Sequence, residues 1–378
     1  MKKVALFLTL FFTLFVPSTY ALNDPTTRPN NFHGIHILFP SELDEASALV
    51  NSSEGEWGYV TIPIQSTDRD MEKWQNFMDM CREKQLIPII RLATEPYYKD
   101  TSVWRIPTEN DIIYFANFLN SLNWPVENRY VIVYNEVNRF DEWGGESPDP
   151  DRYAEILSFA IDVFKKRNPD FYMIMAGMDN ASPNDGIKYR DNMSYISEMI
   201  EKNPEAIKKL DGFSSHSYPN PGFSQPPDSE KEMGTATYKH EFELINSISD
   251  KKIPAFITET GWISDNLPSA TVARYYEIAY QDIWKTDKDR IVAITPFLLN
   301  STGGQFENFS FIVNGTRTEI FEKAQSLSKV KGEPVKNERI KGVKAEVPEN
   351  MVEKKFKAIA DNTKASQNLI IEYIKIFF

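Results

Sequence analysis

The stretch Tyr130-Val131-Ile132-Val133-Tyr134-Asn135-Glu136 carries five aromatic and β-branched residues straight into an amide and a carboxylate. Such a run reads as a buried strand, and a buried strand ordinarily ends in something neutral. A second stretch, Ile253-Pro254-Ala255-Phe256-Ile257-Thr258-Glu259-Thr260-Gly261-Trp262, does the same thing. A lone carboxylate at the lip of a buried strand is costly to desolvate unless it is partnered. Two of them therefore point to a functional site built at strand ends.

Working outward from these two runs, apolar β-branched segments alternate with amphipathic ones. Strands are predicted at 34–39, 57–64, 86–92, 130–134, 171–176, 212–215, 255–258 and 291–298. Helical patterns fall at 43–50, 70–84, 109–122, 150–167, 193–210, 235–248, 271–286 and 318–328. Asp149-Pro150 and Thr108-Glu109-Asn110-Asp111 supply start signals for two of these helices. Eight strand–helix units in strict order predict an α/β fold, a (β/α)8 TIM barrel over 22–330, with the two glutamates following strands four and seven. Reactive groups of such a barrel collect at the C-terminal ends of its strands. The loops 180–190 and 219–231 are long for strand-to-helix connections and are expected at that same end.

The flanks have a different character. Lys2 and Lys3 precede an apolar run from Val4 to Val16, and small residues follow at Thr19 and Ala21. Residues 1–21 thus read as a cleaved secretory signal peptide whose apolar run of 13 residues is too short to span a bilayer, which predicts a secreted or extracytoplasmic protein with no membrane span in the mature chain. Cys81 is the only cysteine, so stability has to come from a hydrophobic core and not from disulfides. Residues 22–330 carry a net charge of −17, against +2 in the leader and +3 in residues 331–378. An acidic body of this kind repels phosphate backbones, which argues against a nucleic-acid partner and leaves neutral polysaccharide without penalty. After Val330 the chain turns charged and Gly/Pro-punctuated over 331–350. It then resumes an apolar helical spacing at Val352, Phe356 and Ile359, so 331–378 reads as a linker and a helical extension.

Further polar residues are expected at the barrel's rim: Arg91 from strand three, Asn135 beside Glu136, and His216 and Tyr218 on one face after strand six. In this order the chain resembles the retaining glycoside hydrolases of clan A, barrel enzymes that include families 5 and 39, over roughly 32–327. The resemblance implies Glu136 as acid/base and Glu259 as nucleophile on a β-linked glycan. It also implies Asn135 on the sugar hydroxyl next to the reacting carbon, Tyr218 hydrogen-bonded to Glu259, and Arg91 supporting the nucleophile. Val137 stands where many relatives have proline, and the tryptophan that family 5 carries after strand eight as a sugar platform is missing from 294–300, where Phe297 is the candidate substitute.

Pyranose C–H faces stack on aromatic rings, and Trp143 and Trp262, which closely follow the two glutamates, are the expected platforms; Tyr97, Tyr98 and Trp104 lie after strand three. No metal or other cofactor is expected. The spacing of His33 and His36 points their rings to opposite faces of a strand, unlike a chelating pair. The expected partner is an oligo- or polysaccharide. Two rival activities use the same cleft: a barrel that binds polysaccharide without cleaving it, and a transglycosylase in which a sugar replaces water as acceptor.

Overall fold

The computed structural model describes residues 22–337 except 266, 302 and 305, so the expected leader and residues 338–378 lie outside the described residues. Eight parallel strands follow one another around a single sheet: β1 (Gly34–His36), β2 (Gly58–Gln65), β3 (Leu86–Ala93), β4 (Arg129–Val133), β5 (Phe171–Met175), β6 (Gly212–His216), β7 (Ala255–Glu259) and β8 (Ile291–Ile294). A parallel bridge between His33 and Ile294, with the bond from Ile294 N to Phe32 O (2.8 Å), joins the last strand to the first. The barrel expected from the alternation is therefore present. Between the strands run α1 (Leu43–Val50), α2 (Met71–Glu83), α3 (Glu109–Ser121), α4 (Pro150–Arg167), α5 (Asn192–Lys202), α6 (Thr237–Asn246), α7 (Ser269–Ile278) and α8 (Glu319–Ser326). Asp149 caps α4 by accepting from the backbone of Asp151 and Arg152, and Thr108 with Asp111 forms a capping box on α3. The predicted helix 193–210 breaks at Asn203, where Pro204 disfavours helical backbone in the residue before it, and a short helix Pro204–Lys208 follows.

The strand period of two separates two cores. Val131 and Val133 face the helices, whereas Tyr130 and Ile132 join Tyr59, Ile89, Tyr172, Ile174 and Phe256 inside the barrel. Ring centroids of Tyr130 lie 5.0 Å from Tyr172 and 5.6 Å from Phe256, which plugs the lower half of the barrel and leaves the polar groups above it. Beneath the plug the two ends of the described chain meet. Asn128 Nδ2 donates to Asn23 O (2.7 Å), and residues 331–337 cross the floor through Gly332 N to Glu56 O (2.9 Å), Glu333 N to Pro29 O (2.8 Å) and Asn337 N to Pro125 O (3.1 Å). A small cavity of about 30 Å³ opens on this floor, lined by Arg28, Trp57, Tyr59 and Tyr130, at the end opposite the paired glutamates. Among the described residues no helix is long and apolar enough to cross a membrane.

Candidate active site

Three local devices aim the polar groups inward. On β3, Ile87 and Ile89 face the barrel interior, and the same period brings Arg91 in above them. On β4 the alternation stops at Tyr134, whose φ of +72° turns the chain so that Asn135 reaches Arg91, and Glu136 follows at φ +36°. Backbone of this kind is unfavourable for a non-glycine residue and is held only where surroundings over-determine it. On β7 the ladder with β6 slips: Ser215 pairs with Ile257, but His216 pairs with Glu259. This irregularity re-aims Glu259, which strict alternation from Phe256 would have pointed at the helices.

The result is one connected cluster. Arg91 Nη1 donates to Glu259 Oε1 and to Asn135 Oδ1 (2.8 Å for the latter), and Tyr218 OH donates to Glu259 Oε2 (2.9 Å). His216 Nδ1 lies 2.9 Å from Glu136 Oε1 and 3.7 Å from Glu259 Oε2. One carboxylate oxygen of Glu136 and one of Glu259 lie within 4.8 Å of each other. Glu259 is 7% exposed, and burial alone would favour its neutral form; the charges of His216 and Arg91 and the Tyr218 hydroxyl outweigh burial and depress it to about 2. Burial likewise opposes the charge on His216, but the carboxylates of Glu259 and Glu136 raise it above the ordinary histidine value. His36, wholly buried at the end of β1 with Nε2 3.9 Å from Glu259, is pushed down to about 3 by burial and by Arg91, so it stays neutral.

Every expected polar residue thus enters the same cluster; the two expected aromatic platforms do not. Trp143 is 2% exposed and packs edge-on against Tyr153 of α4, while Trp262 is 1% exposed, packs on Tyr276 of α7 and donates Nε1 to Gln225 O (2.7 Å). Both rings fill the core beneath their loops because only that placement buries the indole faces, and neither has a face left for a sugar. Among the described residues the rim loops do present Tyr98, 80% exposed in a hairpin (Pro96–Tyr97 with Asp100–Trp104) after β3, and Phe39, 44% exposed after β1. That hairpin is tied to the loop after β4 by Trp104 N to Asp141 O (2.7 Å) and Gly144 N to Trp104 O (2.8 Å). Phe297, after β8, is nearly buried and meets His36 edge-on at 5.2 Å.

Four residues that sequence reasoning passed over complete the surroundings. Glu142 Oε1 accepts from Asn135 Nδ2 (3.0 Å), and its carboxyl is pushed up to about 8 by loss of water and by the charges of Glu136 and Asp141. Arg139 approaches Glu136 and is itself held by Asp141 and Asp179. Their only sequence signal was position: all four lie within ten residues after the end of β4 or β5. Gly177, also after β5, is required by contact. A Cβ there would stand 2.2 Å from His216 Cδ2 and 2.7 Å from Ser214 Oγ. Gly177→Ala is accordingly expected to displace the imidazole and to cost about 1–3 kcal/mol of stability in chemical denaturation. Unchanged stability with an unmoved His216 resonance would contradict this reading.

No family model and no curated protein sequence matches the chain. Solved structures do share its fold. A family 39 glycoside hydrolase from the gut symbiont Bacteroides cellulosilyticus WH2 superposes with a TM-score of 0.55 at 15% identity, over 80% of this chain and 64% of that one. A GH39 beta-xylosidase from Caulobacter crescentus gives 0.54 at 14% identity, covering 81% and 72%. A GH5_18 protein from Bifidobacterium longum subsp. infantis gives 0.55 at 11% identity, covering 79% of each chain. The chain spans just under two thirds of the first of these, and at such identities the likeness establishes the (β/α)8 fold that they have in common.

Proposed function

We propose that this protein is a glycoside hydrolase that cleaves a β-linked glycan with retention, Glu259 acting as nucleophile and Glu136 as acid/base. One observation carries the reading: two glutamates at the rim of one barrel have oxygens within 4.8 Å, and their partners are unequal. Carboxyl groups about 5–5.5 Å apart suit direct attack by one of them, whereas inversion needs about 6.5–9.5 Å to admit a water. Glu259, held ionised by Arg91 and Tyr218, attacks the anomeric carbon while Glu136 gives its proton to the departing glycosidic oxygen. The glycosidic bond breaks and a glycosyl ester of Glu259 forms, which removes its negative charge. Glu136, now ionised beside His216, takes a proton from water as the water oxygen attacks the same carbon, and both carboxyls return to their starting states. Asn135, fixed by Arg91 and Glu142, presents its amide where the neighbouring sugar hydroxyl would lie.

The acidic body, the leader pattern over 1–21 and the resemblance to clan A support an exported enzyme acting on neutral oligo- or polysaccharide, with 331–378 as an appendage to the barrel. Incubation with a panel of 2-deoxy-2-fluoro glycosides carrying activated leaving groups tests the assignment, because the fluorine slows hydrolysis of the ester more than its formation. Peptide mass spectrometry is expected to find the adduct on the peptide containing Glu259. A label on another carboxylate would remove the nucleophile assignment. No turnover of any glycan, with Glu136→Gln binding oligosaccharide as tightly as the parent, would favour the non-cleaving binder.

A further inference from the structure

The two half-reactions ask opposite things of Glu136: it has to hold a proton in the first and be free of it in the second. Its surroundings are heavily charged. From β6, His216 Nδ1 faces Oε1 at 2.9 Å. From β7, Glu259 lies across the site, tied to Arg91 of β3 and Tyr218 and near His36 of β1. From the loop after β4 come Arg139, Asp141 and Glu142, and from the loop after β5 comes Asp179. Arg139 Nη1 stands 3.6 Å from Glu136 Oε2 and 3.2 Å from Asp179 Oδ2, while its Nε and Nη2 grip Asp141 at 3.0 and 2.7 Å.

We propose that Arg139, with Asp141 and Asp179 as its counter-charges, is a positioning residue that sets how readily Glu136 releases and regains its proton. The proposal rests on Glu136 being the acid/base. Its physical basis is a balance of charges at short range. A bare guanidinium at this distance would hold Glu136 ionised and spoil it as an acid. With Arg139 absent, only the His216 imidazole at 2.9 Å would offset the carboxylates of Glu259 and Asp179 around Glu136, and the balance would move towards keeping the proton on it, to its cost as a base. The geometry is also fixed: Arg139 N donates to Glu136 O (2.9 Å), closing a turn, and buried Asn138 exchanges two 3.0 Å bonds with the backbone of Asp179. The loops after β4 and β5 are thereby locked in register, and Asp179 is raised by burial and by the charge of Glu136.

Two variants should move the pH dependence in opposite directions. For a glycoside whose departure needs protonation, Asp179→Asn is expected to shift the alkaline limb of kcat/KM to lower pH by about one unit, and Arg139→Met to higher pH by a similar amount. Arg139→Lys should restore much of the limb's position without the two-point grip on Asp141. Rates that fall equally at all pH values with unmoved limbs would overturn the proposal in favour of a structural role. A second measurement needs no turnover. In protein labelled with carboxyl-13C aspartate, the Asp179 signal, identified by its loss in Asp179→Asn, should titrate lower in Glu136→Gln and higher in Arg139→Met. An Asp179 titration indifferent to Glu136→Gln would overturn the coupling. Both NMR shifts in a protein that cleaves no glycoside would leave the coupling standing and overturn the catalytic reading instead.

Discussion

Glu259→Gln is expected to lower glycoside turnover by about 10⁴-fold or more, the scale on which removal of a covalent nucleophile acts. The amide is nearly isosteric, so the loss would report chemistry and not a collapsed site. The same substitution has a second, thermodynamic signature. It takes the counter-charge from Arg91, which is 6% exposed, and breaking a buried pair in this way costs on the order of 3 kcal/mol. The pH dependence has a definite sign. Glu259 sits at about 2 in the folded protein, below its ordinary 4.5, so its contribution is fully present above about pH 4.5 and is lost as pH falls from there towards 2. Urea denaturation of parent and variant should therefore differ most at neutral pH and draw together only as pH falls towards 2. A variant that keeps a tenth of parental turnover, or one whose deficit grows in acid, would remove Glu259 from the role given to it.

Glu136→Ala is expected to divide substrates by leaving group. For glycans and other poor leaving groups, loss of the general acid should cost about 10²–10⁴-fold in kcat/KM. A dinitrophenyl glycoside needs no proton to depart, so formation of its ester on Glu259 should be largely preserved, and the ester should accumulate because no base activates water. Azide, small and already anionic, should accept the glycosyl group in the space left by the side chain and speed turnover, giving a glycosyl azide of retained configuration. Equal losses on both classes of substrate, with no response to azide, would mean that Glu136 does not transfer the proton.

Much of this architecture could be read from residue order because it rests on periodic signals. Val131/Val133 against Tyr130/Ile132 is a pure alternation, and Asp149 and Thr108 cap the helices their positions announce. The neighbourhood of Arg91, Asn135, His216 and Tyr218 follows from strand ends alone, since a closed barrel brings all such ends to one rim. What was not legible departs from the period. Glu259 enters the site through a register slip, and Asn135 and Glu136 through positive φ angles, none of which has a composition signature. Arg139 and Asp179 meet because two irregular loops interlock. Trp143 and Trp262 misled for a related reason: nearness in sequence to a reactive residue says nothing about which side of the loop the indole fills.

The floor of the barrel also decides what is kept away from its mouth. Asn23 and Asn337 both lie against the 125–128 segment, at the pole opposite the glutamates. Both ends of the described residues thus lie side by side on the face away from the glutamates. The approach to the two glutamates is therefore shaped by the strand-to-helix loops alone among the described residues, and neither end of the described chain narrows it.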